Sequence, residues 1–235
     1  TSPLAVAQTE EILSQLRTRT IDVEFVVAPI TTKGDREKET PLEKLERGVF
    51  AKEIELALLA GEIDFAVHSA KDLSSTLPEG LEIAAVGQRT DPRDVLVNRW
   101  NLPLMQIPTE SRIGTSSLRR TAQIKALRPD IQVLPIRGNV GTRLEKAASD
   151  DYDGVILAAA GIIRLGRQEH IAESLDPSSF TPEVGQGTLA LEARLNDERV
   201  RKVLNTIAHK PSIAALRAER SFLIALGGEC NMPMA

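Results

Sequence analysis

Basic and hydroxyl side chains recur in this sequence directly after short apolar segments. One group follows the segment that ends at His68, and others follow Ile113, Ile136 and Ala160. These groups contain Ser69, Lys71, Asp72, Thr115, Ser116, Ser117, Arg119, Arg120, Arg137, Gly138, Arg143 and Arg164. Guanidinium groups, hydroxyls and the N–H groups at helix starts bind carboxylates and phosphates. The pattern therefore predicts a site for a ligand that carries several anionic groups.

This interpretation depends on recurrence and not on any one residue. A single helical arginine is more often solvated or paired with a nearby acid, and consecutive residues such as Arg119 and Arg120 point about 100° apart. Cations after four separate segments are harder to explain in that way. The loop from Gly138 to Gly141 matches neither a Walker loop nor a dinucleotide-binding fingerprint, so a tight turn is expected there and not a nucleotide site.

Asp72 is the carboxylate best placed for chemistry, because it stands beside Lys71 and near the other predicted cations. An ionised carboxylate in such a place can stabilise a developing cation or transfer a proton. The competing interpretation is that Asp72 caps a turn or pairs with Lys71, and from the sequence alone this is the more common case.

Cys230 is the single cysteine of the chain, and it follows Gly227 and Gly228 and precedes Pro233. Most lone cysteines fill buried space. The neighbouring glycines and proline favour a loop, however, where a thiol close to cations would be nucleophilic. Three histidines and one cysteine make no credible zinc set, so no metal site is expected.

Composition limits the class of protein. The 235 residues include 29 basic and 33 acidic side chains, for a formal charge of −4, which argues against a nucleic-acid partner. Aromatic residues are 3% of the chain, so base-stacking platforms are not expected. No apolar run approaches the roughly 20 residues of a membrane span, and no signal segment opens the chain. A soluble protein of the cytoplasm is expected, or of the plastid stroma if an upstream transit segment has been removed.

The periodicity alternates between helices and strands, which predicts an α/β fold. Ser2 is expected to cap a first helix that begins at Pro3, and Gly61 is expected to end a second one. Predicted strands are 21–30, 63–68, one that 112–114 closes, 131–136, 154–160 and 188–195. Predicted helices are 49–60, one that 115–117 caps and that runs to about 127, 142–148, 197–209 and 212–226. Such alternation favours parallel sheets covered by helices, here in two lobes with a cleft between them. Boundaries near Gly87 and Gly187 give a discontinuous domain 1 (1–87 and 188–205) and a domain 2 (88–187).

Six motifs, in order, resemble porphobilinogen deaminase, also called hydroxymethylbilane synthase. They are residues 68–72, 114–120, 137–143, 160–166, 184–187 and the Gly-Gly-x-Cys-x-x-Pro stretch that contains Cys230. The resemblance extends from Ser2 to Pro233. It implies two lobes resembling type II periplasmic binding proteins, followed by a small third α/β domain, of which residues 206–235 would be the start with the cofactor-attachment loop.

The resemblance also implies an activity. The family joins four porphobilinogen molecules head to tail, with loss of ammonia, into the linear tetrapyrrole hydroxymethylbilane. Cys230 would carry the dipyrromethane cofactor through a thioether bond, and Asp72 would be the catalytic aspartate. Cofactor-binding residues would be Lys71, Asp72, Ser117, Arg119 and Arg120. Substrate-binding residues would be Ser2, Gln8, Arg47, Phe50, Ser69, Thr115, Ser116, Arg137, Gly138, Arg143 and Arg164. A monomer is expected.

The chain departs from the family pattern at several points. It lacks the usual first strand and its arginine, most of the third domain is missing, and Ser74 and Glu229 stand where proline and glycine are usual. These departures predict a fragment or a degenerate copy of the enzyme. The alternative function is a noncatalytic two-lobed module that binds a polycarboxylate. The presence of Asp72 and Cys230 favours the enzyme, since a pure binding module needs no nucleophilic thiol.

Overall fold

The computed structural model describes residues 2–31 and 51–227 of the chain. They form two compact units: unit 1 contains the described residues up to Arg89 and from Thr188 onwards, and unit 2 is Thr90–Gly187. The chain therefore leaves unit 1, forms unit 2, and returns. Among the described residues, no helix is both long and apolar enough to cross a membrane. The predicted domain boundaries, and the assignment of residues 206–235 to a third domain, stay predictions.

Helices and strands alternate along most of the described chain. Their order is α1 (Pro3–Arg19), α2 (Lys52–Ala60), β1 (Phe65–Ser69), β2 (Leu81–Val86), β3 (Asp94–Asn98), β4 (Arg112–Gly114), α3 (Leu118–Leu127), β5 (Gln132–Leu134), α4 (Val140–Ala147), β6 (Gly154–Ala158), α5 (Ala159–Arg164), β7 (Glu173–Ser174), β8 (Leu189–Arg194), α6 (Glu198–Leu204) and α7 (Lys210–Ala225). The predicted α/β class is confirmed. Strands β2, β3 and β7 and helix α5 were not predicted.

Local sequence signals place several of these boundaries correctly. The hydroxyl of Ser2 accepts a hydrogen bond from the Ala5 amide and so caps α1, which begins at a proline. Gly61 ends α2 in the left-handed conformation that glycine adopts without steric cost. Both predictions are confirmed.

The predicted strand over residues 21–30 is wrong. These residues lie in neither a helix nor a strand, although apolar and polar side chains alternate along them. Ile21 is 94% exposed and Val26 is 84% exposed, so the alternation produces no buried face. A strand needs a hydrogen-bonded neighbour, and no described strand pairs with this segment.

The sheet of unit 1 has the order β1-β8-β2, and both pairings are antiparallel. The expectation of parallel sheets is wrong for this unit. The reason is topological: β1 and β2 run in the same direction, but β8 returns from beyond unit 2 and lies between them in the opposite direction. Leu191 of β8 packs with α1 and α6 on one face, and Ala190 packs with Leu216 of α7 on the other.

The sheet of unit 2 is mixed and has the order β5-β4-β6-β3-β7. Strand β4 pairs in parallel with β5 and β6, whereas β3 pairs antiparallel with β6 and β7. Ile113 and Ile156 pack beneath α3 on one face, and Val155 and Leu157 pack against α4 and α5 on the other. Both faces are therefore covered, and polar groups are left to the strand ends.

Candidate active site

The end of β1 presents Asp72 on a single 3₁₀ turn, Ala70–Asp72. The Ala70 amide donates a 2.9 Å hydrogen bond to the Thr188 carbonyl, and Leu73 is fully buried on the far side of the turn. These two anchors fix the backbone on either side of Lys71 and Asp72. Asp72 itself is exposed and Lys71 is half-buried. The strand-end turn predicted here is confirmed, and it holds a carboxylate that a ligand can reach.

Gln8 and Ser69 lie together and are joined by a hydrogen bond. Gln8 is 7% exposed, and its Nε2 donates a 2.8 Å hydrogen bond to Ser69 Oγ. The bond links α1 to the last residue of β1, directly before the turn that carries Asp72. Ser2 is half-buried, and its hydroxyl is engaged as the cap of α1.

Two buried strand residues of the same sheet, His68 of β1 and Glu192 of β8, form a cluster with Glu55 of α2. His68 Nε2 is 3.0 Å from Glu192 Oε2, and both side chains are buried. Burial raises the pKa of Glu55 on α2, the neighbouring Glu192 raises it further, and His68 lowers it. Sequence patterns gave no sign of this cluster, because the three residues lie on separate elements.

The hydroxyl residues after β4 are used mainly to shape the backbone. Ser117 Oγ accepts from the Arg120 amide and caps α3, as predicted. Thr115 is buried, and its hydroxyl accepts from the Ser117 amide at 3.2 Å. Ser116 Oγ donates to the Ile136 carbonyl at 2.7 Å and accepts from the Ile136 amide at 3.1 Å, which ties this loop to the segment after β5.

Arg119 and Arg120 are buried on the first turn of α3, and a carboxylate that the sequence analysis did not single out lies between them. Asp94, the first residue of β3, is fully buried. Its Oδ2 is 2.7 Å from Arg119 Nη1, and its Oδ1 is 2.7 Å from Arg120 Nη2. Burial raises the pKa of Asp94, but the charges of Arg120 and Arg119 and their hydrogen bonds outweigh it and leave the pKa below its ordinary value.

Arg137, Gly138 and Arg143 form the loop and first turn of α4. Asn139 Oδ1 accepts from the Thr142 amide and so caps α4, and Gly138 has a φ of +115°. Arg143 Nε donates to the Gly138 carbonyl at 2.8 Å. Arg137 and Arg143 are both half-buried, and Gly138 is exposed. The backbone bends at Gly138, but Val140 and Gly141 already belong to α4, so the predicted turn is confirmed only in its first half.

Arg164 ends α5, where it contacts the two ends of unit 2. Its Nη2 donates to Thr90 Oγ1 at 3.1 Å and to the Gly187 carbonyl at 3.2 Å. The side chain is half-buried. Arg164 therefore holds together the segments through which the chain enters and leaves this unit.

The predicted site residues are thus divided between the two units. Unit 1 holds Ser2, Gln8, Ser69, Lys71 and Asp72, and unit 2 holds the others that the structure describes. Arg47, Phe50 and Cys230 lie outside the described residues. Within residues 2–31 and 51–227, no group of three or more histidine, cysteine or acidic side chains could hold a metal ion.

Arg119 retains binding capacity that the fold does not use. It is 3% exposed, and its Nε and Nη2 atoms have no hydrogen-bond partner among the described residues. Buried donors without a partner are costly, and a guanidinium edge matches a carboxylate bidentately. A group that carries acetate or propionate side chains, such as a dipyrromethane, fits this arginine.

Comparisons with known proteins agree with this chemistry. Residues 1–202 match the family model described as "Porphobilinogen deaminase, dipyromethane cofactor binding domain". The porphobilinogen deaminase of Syntrophomonas wolfei is 49% identical over the whole chain, which covers 77% of that protein. That of Syntrophus aciditrophicus is 45% identical with the same coverage. A periplasmic substrate-binding protein of an ABC transporter from Coxiella burnetii is similar in fold, with a TM-score of 0.51, 11% identity, and coverage of 93% of this chain and 94% of that one.

Proposed function

Because this chain belongs to the porphobilinogen deaminase family, we propose that it condenses four porphobilinogen molecules head to tail into hydroxymethylbilane, with loss of ammonia at each addition. The structural observation that carries this proposal is the buried Arg119, whose Nε and Nη2 edge has no hydrogen-bond partner among the described residues. Each porphobilinogen unit bears one acetate and one propionate. A chain of such units needs fixed guanidinium groups to hold it, because carboxylates bind them in a defined orientation.

Asp72 is the proposed catalytic residue. Loss of ammonia from the aminomethyl group leaves a cationic carbon, and the nitrogen departs with the electrons of the broken bond. The free α-carbon of the preceding pyrrole then forms the new bond and releases a proton. An exposed carboxylate held at the end of β1 can stabilise the cation and accept that proton. The anchored turn on both sides of Asp72 limits the reorganisation that this requires.

Cys230 is the proposed attachment point of the dipyrromethane cofactor. When bound, this group supplies the pyrrole α-carbon on which the chain begins to grow. The resemblance implies that Lys71, Ser117, Arg119 and Arg120, together with Asp72, hold it. For Arg119 this role agrees with the unpaired Nε and Nη2 edge, whereas Ser117 Oγ caps α3 and the nitrogens of Arg120 are already bonded within unit 2.

Substrate binding is assigned to residues of both units. They are Ser2, Gln8, Arg47, Phe50, Ser69, Thr115, Ser116, Arg137, Gly138, Arg143 and Arg164. The exposed Gly138 and the half-buried Arg137 and Arg143 are accessible to a carboxylate, and the α4 N-terminus beside them favours an anion. Ser2, Thr115 and Ser116 act through the backbone that their hydroxyls shape.

Replacing Asp72 by asparagine tests the proposal. The variant should retain the covalent cofactor but lose at least about 100-fold in turnover of porphobilinogen, because the carboxylate that stabilises the cation is gone. Asp64→Asn is the matched control, since Asp64 is exposed in unit 1 and pairs with Arg199. Undiminished turnover by Asp72→Asn would refute the role of Asp72. If the unmodified protein binds porphobilinogen without consuming it, the chain is a noncatalytic polycarboxylate-binding module.

A further inference from the structure

The two carboxylate oxygens of Asp94 pair with two neighbouring arginines, Oδ2 with Arg119 and Oδ1 with Arg120. The two arginines differ in how many of their other nitrogens have hydrogen-bond partners. Arg120 Nε and Nη2 both donate to Asp94 Oδ1, at 3.0 and 2.7 Å, and Nη1 donates to the Ile156 carbonyl at 3.3 Å. Nη2 also lies 3.4 Å from Gln186 Oε1. All three nitrogens of Arg120 therefore have partners inside unit 2, and its guanidinium is committed to the fold.

Arg119 is held by one nitrogen only. Its Nη1 meets Asp94 Oδ2 at 2.7 Å and donates to the Thr181 carbonyl at 2.6 Å. The Nε and Nη2 atoms have no hydrogen-bond partner in the described part of the chain, although the side chain is buried. A guanidinium is planar and rigid, so two contacts at Nη1 orient the opposite edge. That edge presents two parallel donors, the geometry that a carboxylate accepts bidentately.

Asp94 is itself fixed from a third side. Gln186 Nε2 donates to Asp94 Oδ1 at 3.0 Å and to the Pro92 carbonyl at 2.7 Å. Gln186 is fully buried. Strand β3, which begins at Asp94, is buried along its whole length. The carboxylate cannot turn away from the arginines without breaking these bonds.

The charges of the cluster point in the same direction. Two guanidinium groups and one carboxylate leave one net positive charge in a buried place. A buried charge without a counterion is unfavourable, so the cluster has capacity for one more carboxylate. The unpaired Nε and Nη2 edge of Arg119 is where that carboxylate would bind.

We propose that Asp94 is a positioning residue that holds Arg119 so that its unpaired Nε and Nη2 edge receives one carboxylate of the ligand. The proposed function supplies only the identity of that ligand, a pyrrole bearing carboxylates. Positioning and simple electrostatics predict opposite results when the charge of Asp94 is removed. Without the negative charge, electrostatics alone would bind an anionic ligand more tightly, whereas loss of orientation weakens binding.

The test compares Asp94→Asn, Arg119→Lys and a control, Asp153→Asn, in the complete enzyme. Asp153 pairs with Arg112 in the same unit, so its replacement also removes an aspartate–arginine pair but touches no predicted ligand residue. Starting from cofactor-free protein, Asp94→Asn should need about tenfold more porphobilinogen than wild type to form the covalent dipyrromethane adduct, because Arg119 is assigned to that group. The control should need an amount within about twofold of wild type. Arg119→Lys keeps a cation beside Asp94 and should show the same rise.

A spectroscopic readout makes the inference independent of turnover. In the ligand-free enzyme, the ¹⁵Nε–H signal of Arg119, assigned by its loss in Arg119→Lys, should be slow to exchange because the side chain is held and buried. It should shift and exchange faster in Asp94→Asn but not in Asp153→Asn. An unchanged signal, or formation of the adduct by Asp94→Asn at a lower porphobilinogen concentration than wild type needs, would overturn the positioning role. A wild-type protein that binds porphobilinogen without turnover would refute the proposed function alone, and the Arg119 signals of the variants would still decide the inference.

Discussion

The side-chain amide of Gln8 donates a 2.8 Å hydrogen bond to the hydroxyl of Ser69, 61 positions further along the chain. This bond fastens helix α1 to the last residue of strand β1. The turn that carries Asp72 begins at the next residue. The position of the proposed catalytic carboxylate therefore depends on a contact between two elements that are distant in sequence.

Removing this contact should affect stability and catalysis together. Ser69→Ala should lower the free energy of unfolding by about 1 kcal/mol, because it leaves the largely buried Gln8 amide without its acceptor. It should also lower kcat, since the turn after β1 is less firmly held. Urea unfolding and steady-state kinetics measure the two effects, and Gln15→Ala on the same helix is the control. A Ser69→Ala protein with wild-type kcat would show that the bond serves stability only.

Glu55 should make stability depend on pH. Burial raises its pKa above the ordinary 4.5, so the folded protein holds this proton at a pH where the unfolded chain has lost it. The free energy of unfolding should therefore fall as the pH rises from 4.5 through the raised pKa. Glu55→Gln has no carboxyl group to ionise, so its free energy of unfolding should not show this fall. The difference in the free energy of unfolding between Glu55→Gln and wild type should be absent below pH 4.5 and constant at neutral pH.

Urea unfolding between about pH 4 and 8 measures this difference across the window in which the two pKa values separate. Glu79→Gln, at an exposed position, serves as the control. A constant difference between Glu55→Gln and wild type at every pH would contradict the raised pKa.

Gly138 should not tolerate a side chain. Its φ of +115° lies in a region that side chains rarely adopt, and an added Cβ would lie 2.7 Å from Thr142 Cγ2. Gly138→Ala should destabilise the protein by about 2 kcal/mol or more. Gly166 has a φ of +64° with nothing within 4 Å of the added atom, so Gly166→Ala should cost only about 1 kcal/mol. Equal costs in thermal unfolding would mean that the contact with Thr142 relaxes freely.

Ser116 should contribute mainly to the stability of the fold and not to direct ligand binding. Its hydroxyl both donates to and accepts from the backbone of Ile136, so Ser116→Ala leaves two backbone groups without a partner. The expected loss is about 2 kcal/mol in the free energy of unfolding. Thr109→Ala, at an exposed position in the same unit, should change stability little. If Ser116→Ala unfolds like wild type but binds porphobilinogen more weakly, its role is direct contact with the ligand.

Features that depend on neighbouring residues in the chain could be predicted from the sequence. The Ser2 cap, the end of α2 at Gly61 and the cap of α3 at Ser117 each follow from local hydrogen bonds or backbone sterics. The α/β class followed from the alternation of helical and extended periodicity.

Features that depend on distant contacts could not be predicted. Residues 21–30 alternate as a strand would, but no described strand pairs with them. The direction of β8 depends on its return from beyond unit 2. Asp94 gave no local sign of lying between Arg119 and Arg120, because only the packing of β3 against α3 brings them together. The hydrogen bonds of Arg120 to Asp94 and to the Ile156 carbonyl could not be predicted for the same reason.

The most direct test of the account is an intact mass spectrum of the protein purified from cells that make porphobilinogen, followed by peptide mapping. The proposed function predicts a mass above that of the bare chain by two condensed pyrrole units, located on Cys230. Cys230→Ser should remove this addition and serves as the control. A bare mass for the unmodified protein, or an addition that persists in Cys230→Ser, would contradict the claim that the chain builds tetrapyrrole on a dipyrromethane attached at Cys230.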